Sequence, residues 1–145
     1  MDFNALHQQN QPLLLANVWD ASSAQAAQQA GYQALGSSSA AIAAMLGYED
    51  GEEMSFDELF YVVSRIKTVS ELPLSVDLEA GYGATTSLII DNIRRLAHLG
   101  VSGINLEDSH VVDGTRRLDD AERFAVKLQE IARACPGLFV NVRTD

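Results

Sequence analysis

The sequence predicts an α/β fold built on a parallel sheet, and two observations carry that prediction. Short apolar runs with little strict alternation recur along the 145 residues, and amphipathic helical patterns lie between them. Runs of that kind suit strands covered on both faces, and strand–helix alternation is the mark of βαβ units.

The elements follow in chain order. A first strand is predicted at 13–18, "LLLANV", then a helix over 21–30 with Asp20 as N-cap and Gly31 as its stop. The second strand, "QALGSS" at 33–38, leads into an additional piece over 39–54, read as a short helix and a loop. Ser55 and Glu58 stand in capping-box spacing at the head of a helix over 55–69, with Leu59, Val62, Val63 and Ile66 on one face. Pro73 introduces the third strand, "LSVDLE" at 74–79. A helix over 85–100 carries Ile89, Ile93, Leu96 and Ala97 on one stripe and ends at Gly100. The fourth strand, "SGINLE" at 102–107, precedes a helix over 119–134 that sets Phe124, Leu128, Ile131 and Ala132 on its apolar side. The fifth strand is "LFVNVR" at 138–143.

Each strand begins apolar and finishes polar: Asn17 and Asp20, Ser37 to Ser39, Asp77 and Glu79, Glu107 and Asp108, Asn141, Arg143 and Asp145. An open doubly wound sheet gathers function at one or two crevices, whereas a (β/α)8 barrel brings all strand ends to one mouth. Five functionalised strand ends favour the barrel. A TIM barrel has eight strands and about 250 residues, so the expectation is one incomplete domain over 1–145, the first five strands of a longer protein.

A net charge of −10 and a pI near 4.6 disfavour nucleic acid and anionic membranes as partners. Cys135 is the sole cysteine, so no intrachain disulfide is expected. The N-terminus has neither a basic leader nor a long apolar run, so a cytoplasmic location without a membrane anchor is expected.

Side chains two apart on a strand share a face, so Asp77 and Glu79 are expected to point together, with Glu107 of the next strand beside them. Carboxylates crowded there repel unless a cation binds, and an all-oxygen set suits Mg²⁺. The competing reading pairs Asp77 and Glu79 with arginines or makes them helix caps. Arg143 at the mouth suits a substrate carboxylate or a developing oxyanion, or an ion pair with Glu107 or Asp108. The turn "GSSSA" at 36–40 offers backbone N–H groups to a carboxylate, or is a simple helix cap. Gly81 and Gly83 are read as turn chemistry, because Thr86 stands where a dinucleotide loop needs its third glycine. Cys135 lacks the basic setting of a nucleophile. His7, His98 and His110 are read as solvated, and "EDGEE" at 49–53 as mostly a solvated loop.

Together these stretches resemble the phosphoenolpyruvate mutase/isocitrate lyase superfamily along the whole chain. "DLEAGYG" resembles its D-x-D-x-G-[YF]-G segment, "NLEDS" its L-E-D segment and "VNVRTD" its A-R-T-[DE] strand. "ALGSSSAAIAAMLGYED" resembles its stretch from a substrate-binding Ser-Gly to a Leu-Gly-x-x-Asp. The resemblance implies a Mg²⁺-dependent enzyme acting on small 2-oxo or 2-hydroxy carboxylates through an enolate. It places Asp77 on the metal, with Glu79 and Glu107 holding it directly or through water. Asp50 falls near metal waters or substrate, Ser37 and Ser38 at the substrate carboxylate, and Arg143 on the substrate. It also implies a homo-oligomer for the full-length protein.

Three positions depart from the pattern. Glu79 stands where an Asp is usual, and Ser38 where a Gly is common. "SHVVDGTRR" replaces the Lys-[KR]-Cys-Gly-His lid of the isocitrate and methylisocitrate lyases, so those two activities are not expected. What remains is a lyase or decarboxylase of unassigned substrate. The alternatives are a phosphonate or phosphoenolpyruvate mutase or hydrolase, or a non-catalytic truncated member. The 145-residue chain itself is expected to be weakly active or inactive.

Overall fold

Five parallel strands form one sheet in the order β1-β2-β3-β4-β7: β1 Leu15–Val18, β2 Ala34–Ser37, β3 Leu74–Asp77, β4 Gly103–Glu107 and β7 Phe139–Arg143. The structure, a computed structural model, describes residues 2–145. Helices α2 Ala21–Gln29, α4 Phe56–Val69, α5 Thr86–His98 and α6 Ala121–Ala134 follow their strands as expected, and α3 Ser39–Leu46 fills the additional piece after β2. Two elements had no counterpart in the sequence reading. One is a short first helix, α1 Phe3–His7. The other is an antiparallel hairpin, β5 Ser109–Val112 with β6 Thr115–Leu118, inserted after β4.

Local chemistry explains the helix starts. Asp20 and Ser23 close a reciprocal capping box on α2, and Ser55 and Glu58 do so on α4. Thr85 caps α5 through the Leu88 amide. Each such cap is worth about 1 kcal/mol. The apolar stripes then bury Leu59, Val62, Val63 and Ile66 of α4 and Ile89, Ile93 and Leu96 of α5, while Ala97 and Ala132 at the stripe margins are exposed.

Strand alternation divides the sheet into two unlike faces. Ala16, Val18, Leu35, Leu74, Val76, Ile104 and Leu106 pack with the helices in the main core. The other face carries Asn17, Gly36, Ser75, Asp77, Asn105, Glu107, Asn141 and Arg143, small or polar at almost every position. At its lower end α1 seals this second face: Phe3 and Leu6 pack with Ala34 and Phe139, and the His7 ring stacks on Phe139 at 4.2 Å. His7 is thus exposed but stacked. Among the described residues β1 and β7 lie at opposite edges, so the parallel sheet is seen open rather than closed. No helix among the described residues is long and apolar enough to cross a membrane.

Candidate active site

The polar face delivers its charged residues at the C-terminal ends of β3, β4 and β7. Register sets Asp77 opposite Asn105, Asn105 opposite Asn141, and Glu107 opposite Arg143. The Asn141 amide donates to the Asn105 side-chain oxygen at 3.0 Å, a polar floor beneath the carboxylates.

One side of this mouth is acidic. Asp77 Oδ2 accepts from the Ser39 hydroxyl at 2.6 Å and from the Ser39 amide at 3.3 Å, and the Asp77 amide donates to Ser37 Oγ at 2.9 Å. Ser39 Oγ also lies 3.5 Å from Asp50 Oδ1, which ties the exposed Asp50 loop to the strand end. Ser38 acts as the α3 cap: its hydroxyl accepts from the Ala41 amide and its own amide donates to the Val18 carbonyl. The "GSSSA" turn therefore already commits the Ser38, Ser39 and Ala41 amides within the protein.

Glu79 reaches the site by a different route from the one alternation predicts. β3 ends at Asp77, and Glu79 lies beyond it in a left-handed conformation with φ 53°. The pair is brought together by the turn, through the Glu79 amide and Asp77 Oδ1 at 3.4 Å, rather than by a shared strand face. The Tyr82 hydroxyl donates to Glu79 Oε2, and the Tyr82 amide donates to Glu52 Oε1 at 3.0 Å. Glu52 and Tyr82 also have positive φ, 64° and 56°. Three strained non-glycine residues in contact cost about 1 kcal/mol or more apiece and mark a site whose surroundings hold it in place. Gly81 is required here: its φ is 115°, and a Cβ would sit 2.7 Å from Ile89 Cγ2. The Asn92 side chain pins the same turn through the Gly81 and Tyr82 carbonyls.

Burial pushes the Glu79 carboxyl up to about 7 despite the Tyr82 hydroxyl, and the charges of Asp50, Glu52 and Asp77 add to the rise. Glu52 is raised as well, again chiefly by burial. No lysine, arginine or histidine pairs with Asp50, Glu52, Asp77 or Glu79 among the described residues.

The other side is neutralised. Glu107, 5% exposed, is ion-paired through Oε2 to Arg143 and through Oε1 to Arg116 Nη1 at 2.8 Å. Asp145 joins the same network, 3.2 Å from both Arg116 Nη1 and Arg143 Nε. The Ser109 hydroxyl, assisted by Arg143 and Arg116, holds the Asp145 carboxyl below the usual carboxylate range. The hairpin closes over this side. His110 Nδ1 lies 2.9 Å from Asp119 Oδ1, so the expectation of a merely solvated His110 gives way to a paired one. At Gly51 a Cβ would meet Val111 Cγ2 at 2.6 Å, so the Val111 side chain of the hairpin packs directly on the Gly51 backbone of the loop. A cavity of about 540 Å³ lies between them, lined by Glu52, Glu79 and Tyr82 on one wall and Glu107, His110 and Arg116 on the other.

Asp77 and Glu79 fit a hard cation in kind: they offer only oxygen, repel one another and have no cationic partner. Glu107, held by two arginines, does not join them as placed. Among the described residues no three His, Cys, Asp or Glu side chains converge closely enough to hold an ion. Sequence reasoning missed Glu52 and Arg116. Asp113-Gly114 between apolar and polar runs is the dipeptide signal that could have revealed the hairpin.

A family model described as phosphoenolpyruvate phosphomutase matches residues 3–145. The 2-methylisocitrate lyase of Salmonella typhimurium (strain LT2) is 28% identical over 155 aligned residues, covering 99% of this chain and 51% of that protein. A crystal structure of a candidate phosphonomutase from Burkholderia cenocepacia J2315 is 38% identical, with a TM-score of 0.91 over 99% of this chain and 58% of that one. A phosphonopyruvate hydrolase crystallised with oxalate and Mg²⁺ shares the fold at 22% identity, TM-score 0.82, over 92% of this chain and 48% of that one. The chain spans about half the length of the relatives it matches.

Proposed function

Given that the chain belongs to the phosphoenolpyruvate mutase/isocitrate lyase superfamily, we propose that it serves Mg²⁺-dependent lyase chemistry on a small 2-oxo or 2-hydroxy carboxylate. The reaction is carbon–carbon cleavage or decarboxylation through an enolate, carried out in a cytoplasmic homo-oligomer with the TIM barrel complete. The observation that carries this reading is Glu79: a buried carboxylate, among Asp50, Glu52 and Asp77, with no cation of the protein to neutralise it. Carboxylates crowded so either take up a proton or are neutralised by an external cation.

In this scheme Asp77 would hold the ion, with Glu79 and Glu107 joining it directly or through water. Bound there, Mg²⁺ supplies Lewis acidity toward a carbonyl oxygen. Arg143 neutralises the substrate carboxylate or the oxyanion that develops beside it. Ser37 orients the Asp77 backbone through its hydroxyl, and the Ser37–Ser38 turn borders the substrate carboxylate. Asp50, exposed and within 3.5 Å of the Ser39 hydroxyl, would receive or return a proton in this scheme. Tyr82 holds the Glu79 carboxylate by its hydroxyl proton.

Calorimetric titration with Mg²⁺, with and without oxalate, tests the reading. The expected result is oxalate binding that is strengthened about tenfold by Mg²⁺ and abolished in Asp77→Ala. Oxalate binding indifferent to Mg²⁺, or undiminished in Asp77→Ala, refutes it. A phosphonate substrate is the second reading, favoured by the 38% identity to the candidate phosphonomutase. Release of pyruvate from 2-oxo acids, 2-methylmalate-type acids and phosphonopyruvate separates the two.

A further inference from the structure

His110 takes no part in the chemistry outlined above, yet its ring is held in one orientation. Nδ1 lies 2.9 Å from Asp119 Oδ1, and the other oxygen of that carboxylate lies 3.5 Å from Lys127 Nζ of α6. The Asp119 amide donates to the Asp108 carbonyl at 2.6 Å, so backbone and helix together fix the carboxylate. Among the described residues Nε2 is bonded to no protein group, and the side chain is 42% exposed.

Its position suits proton transfer. His110 borders the cavity that Glu79 and Glu107 also line. Strand alternation turns its ring away from the side of Ser109 and Val111, toward the segment leading into α6. It therefore stands at the rim, where water can restore a proton that the ring gives up. Imidazole is the side chain that both gives and takes a proton near neutrality. A carboxylate on Nδ1 keeps that nitrogen protonated, stabilises the imidazolium and leaves proton exchange to Nε2. The charged groups around the ring are Asp119, Lys127 of α6 and Arg117, directly across the hairpin.

Resting on the family reading above, we infer that His110 is the catalytic acid that protonates carbon in this reaction, with Asp119 as its positioning residue. Carbon–carbon cleavage or decarboxylation leaves the bonding pair on the retained fragment as an enolate. The C=C pair of that enolate takes the proton from Nε2: the N–H bond breaks, a C–H bond forms and the carbonyl is restored. The imidazole is left neutral, Asp119 stays ionised, and solvent water returns a proton to Nε2. Asp50 exchanges the proton on oxygen, and His110 supplies the one on carbon.

Two measurements on the 145-residue chain test the assignment. In the first, diethyl pyrocarbonate labels the histidines, and mass spectrometry reads each site with and without Mg²⁺ and oxalate. Labelling of His110 is expected to slow about tenfold when both are bound, whereas the exposed His98 is labelled equally in either case. In the second, proton NMR follows deuterium entry into the methyl group of pyruvate in D2O with Mg²⁺. That half-reaction needs only enolate formation and the return of hydrogen to carbon. His110→Gln is expected to lower kcat for exchange about a hundredfold, with KM for pyruvate and oxalate affinity kept within about twofold. Asp119→Asn should lower kcat about tenfold, again without a change in KM. Arg117→Met, which removes the charge across the hairpin, should leave exchange unchanged.

Labelling of His110 that is indifferent to Mg²⁺ and oxalate overturns the inference, and because it reads the unaltered chain it decides even where a variant fails to fold. Exchange undiminished in His110→Gln, or slowed as much in Arg117→Met, overturns it as well. Mg²⁺-dependent oxalate binding without any exchange of pyruvate overturns it while sparing the family reading. Absence of Mg²⁺-dependent oxalate binding overturns both.

Discussion

The two walls of the mouth carry carboxylates in similar number but resolve their charge in opposite ways. On the β4–β7 wall, Glu107 and Asp145 are matched by Arg116 and Arg143. On the β3 wall, Asp77, Glu79 and Glu52 meet hydroxyls and amides only. Hydroxyls and amides orient a carboxylate but do not neutralise it, and the rise at Glu79 is the consequence. One wall is built to be complete in itself and the other to be completed by something positive.

Their responses to pH differ in sign for the same reason. Asp145 has its folded value lowered, so its contribution is present above the ordinary carboxylate range and is lost as pH falls through the folded value. Glu79 has its folded value raised from 4.5 to about 7, so the unfolded chain gives up its proton first and stability declines as pH climbs across that window.

The largest effect is expected from breaking the matched wall. Glu107→Gln strips the buried charge that both arginines share and should cost about 3 kcal/mol in urea denaturation at neutral pH. A loss below about 0.5 kcal/mol would place this pair with ordinary surface ion pairs and erase the contrast. Relieving the unmatched wall comes next. Glu79→Gln should raise the melting temperature by about 3 °C at pH 8 in the absence of divalent ions and change it little at pH 5, where the native carboxyl is already protonated. An equal shift at both values would contradict the sign. The smallest is Tyr82→Phe, which removes the hydroxyl that Glu79 accepts from and should destabilise by about 0.5 kcal/mol at pH 8. It should also extend the decline in stability to higher pH, because the lost bond favoured the ionised form of Glu79.

The division between the walls was only half legible in the sequence. Strands and helices followed from apolar runs, caps and stripes, because burial against the helices acts on every second strand residue. Asp77, Glu107 and Arg143 followed too, since regular strands carry a reading of faces to their last residue. Glu79 exposed the limit of that logic, because alternation ends where the backbone turns left-handed at 53°. Glu52 looked like one more solvated acid in "EDGEE", and nothing local says that its carboxylate meets an amide thirty residues away. Arg116 sat in a stretch defined by what it lacked, the expected lid, and so its hairpin went unread although Asp113-Gly114 announces one.

The strand order has a bearing on how the chain comes to be folded at all. Each strand of the main sheet lies beside the one that precedes it in sequence, the hairpin excepted. Every βα unit can therefore dock on a surface already synthesised, without waiting for distant segments, which suits N-to-C assembly at the ribosome. The polar mouth is then added to at each step. Asp50, Glu52, Asp77 and Glu79 all precede Arg116 and Arg143 in the chain, so this acidic wall is assembled before the arginines that neutralise the opposite one.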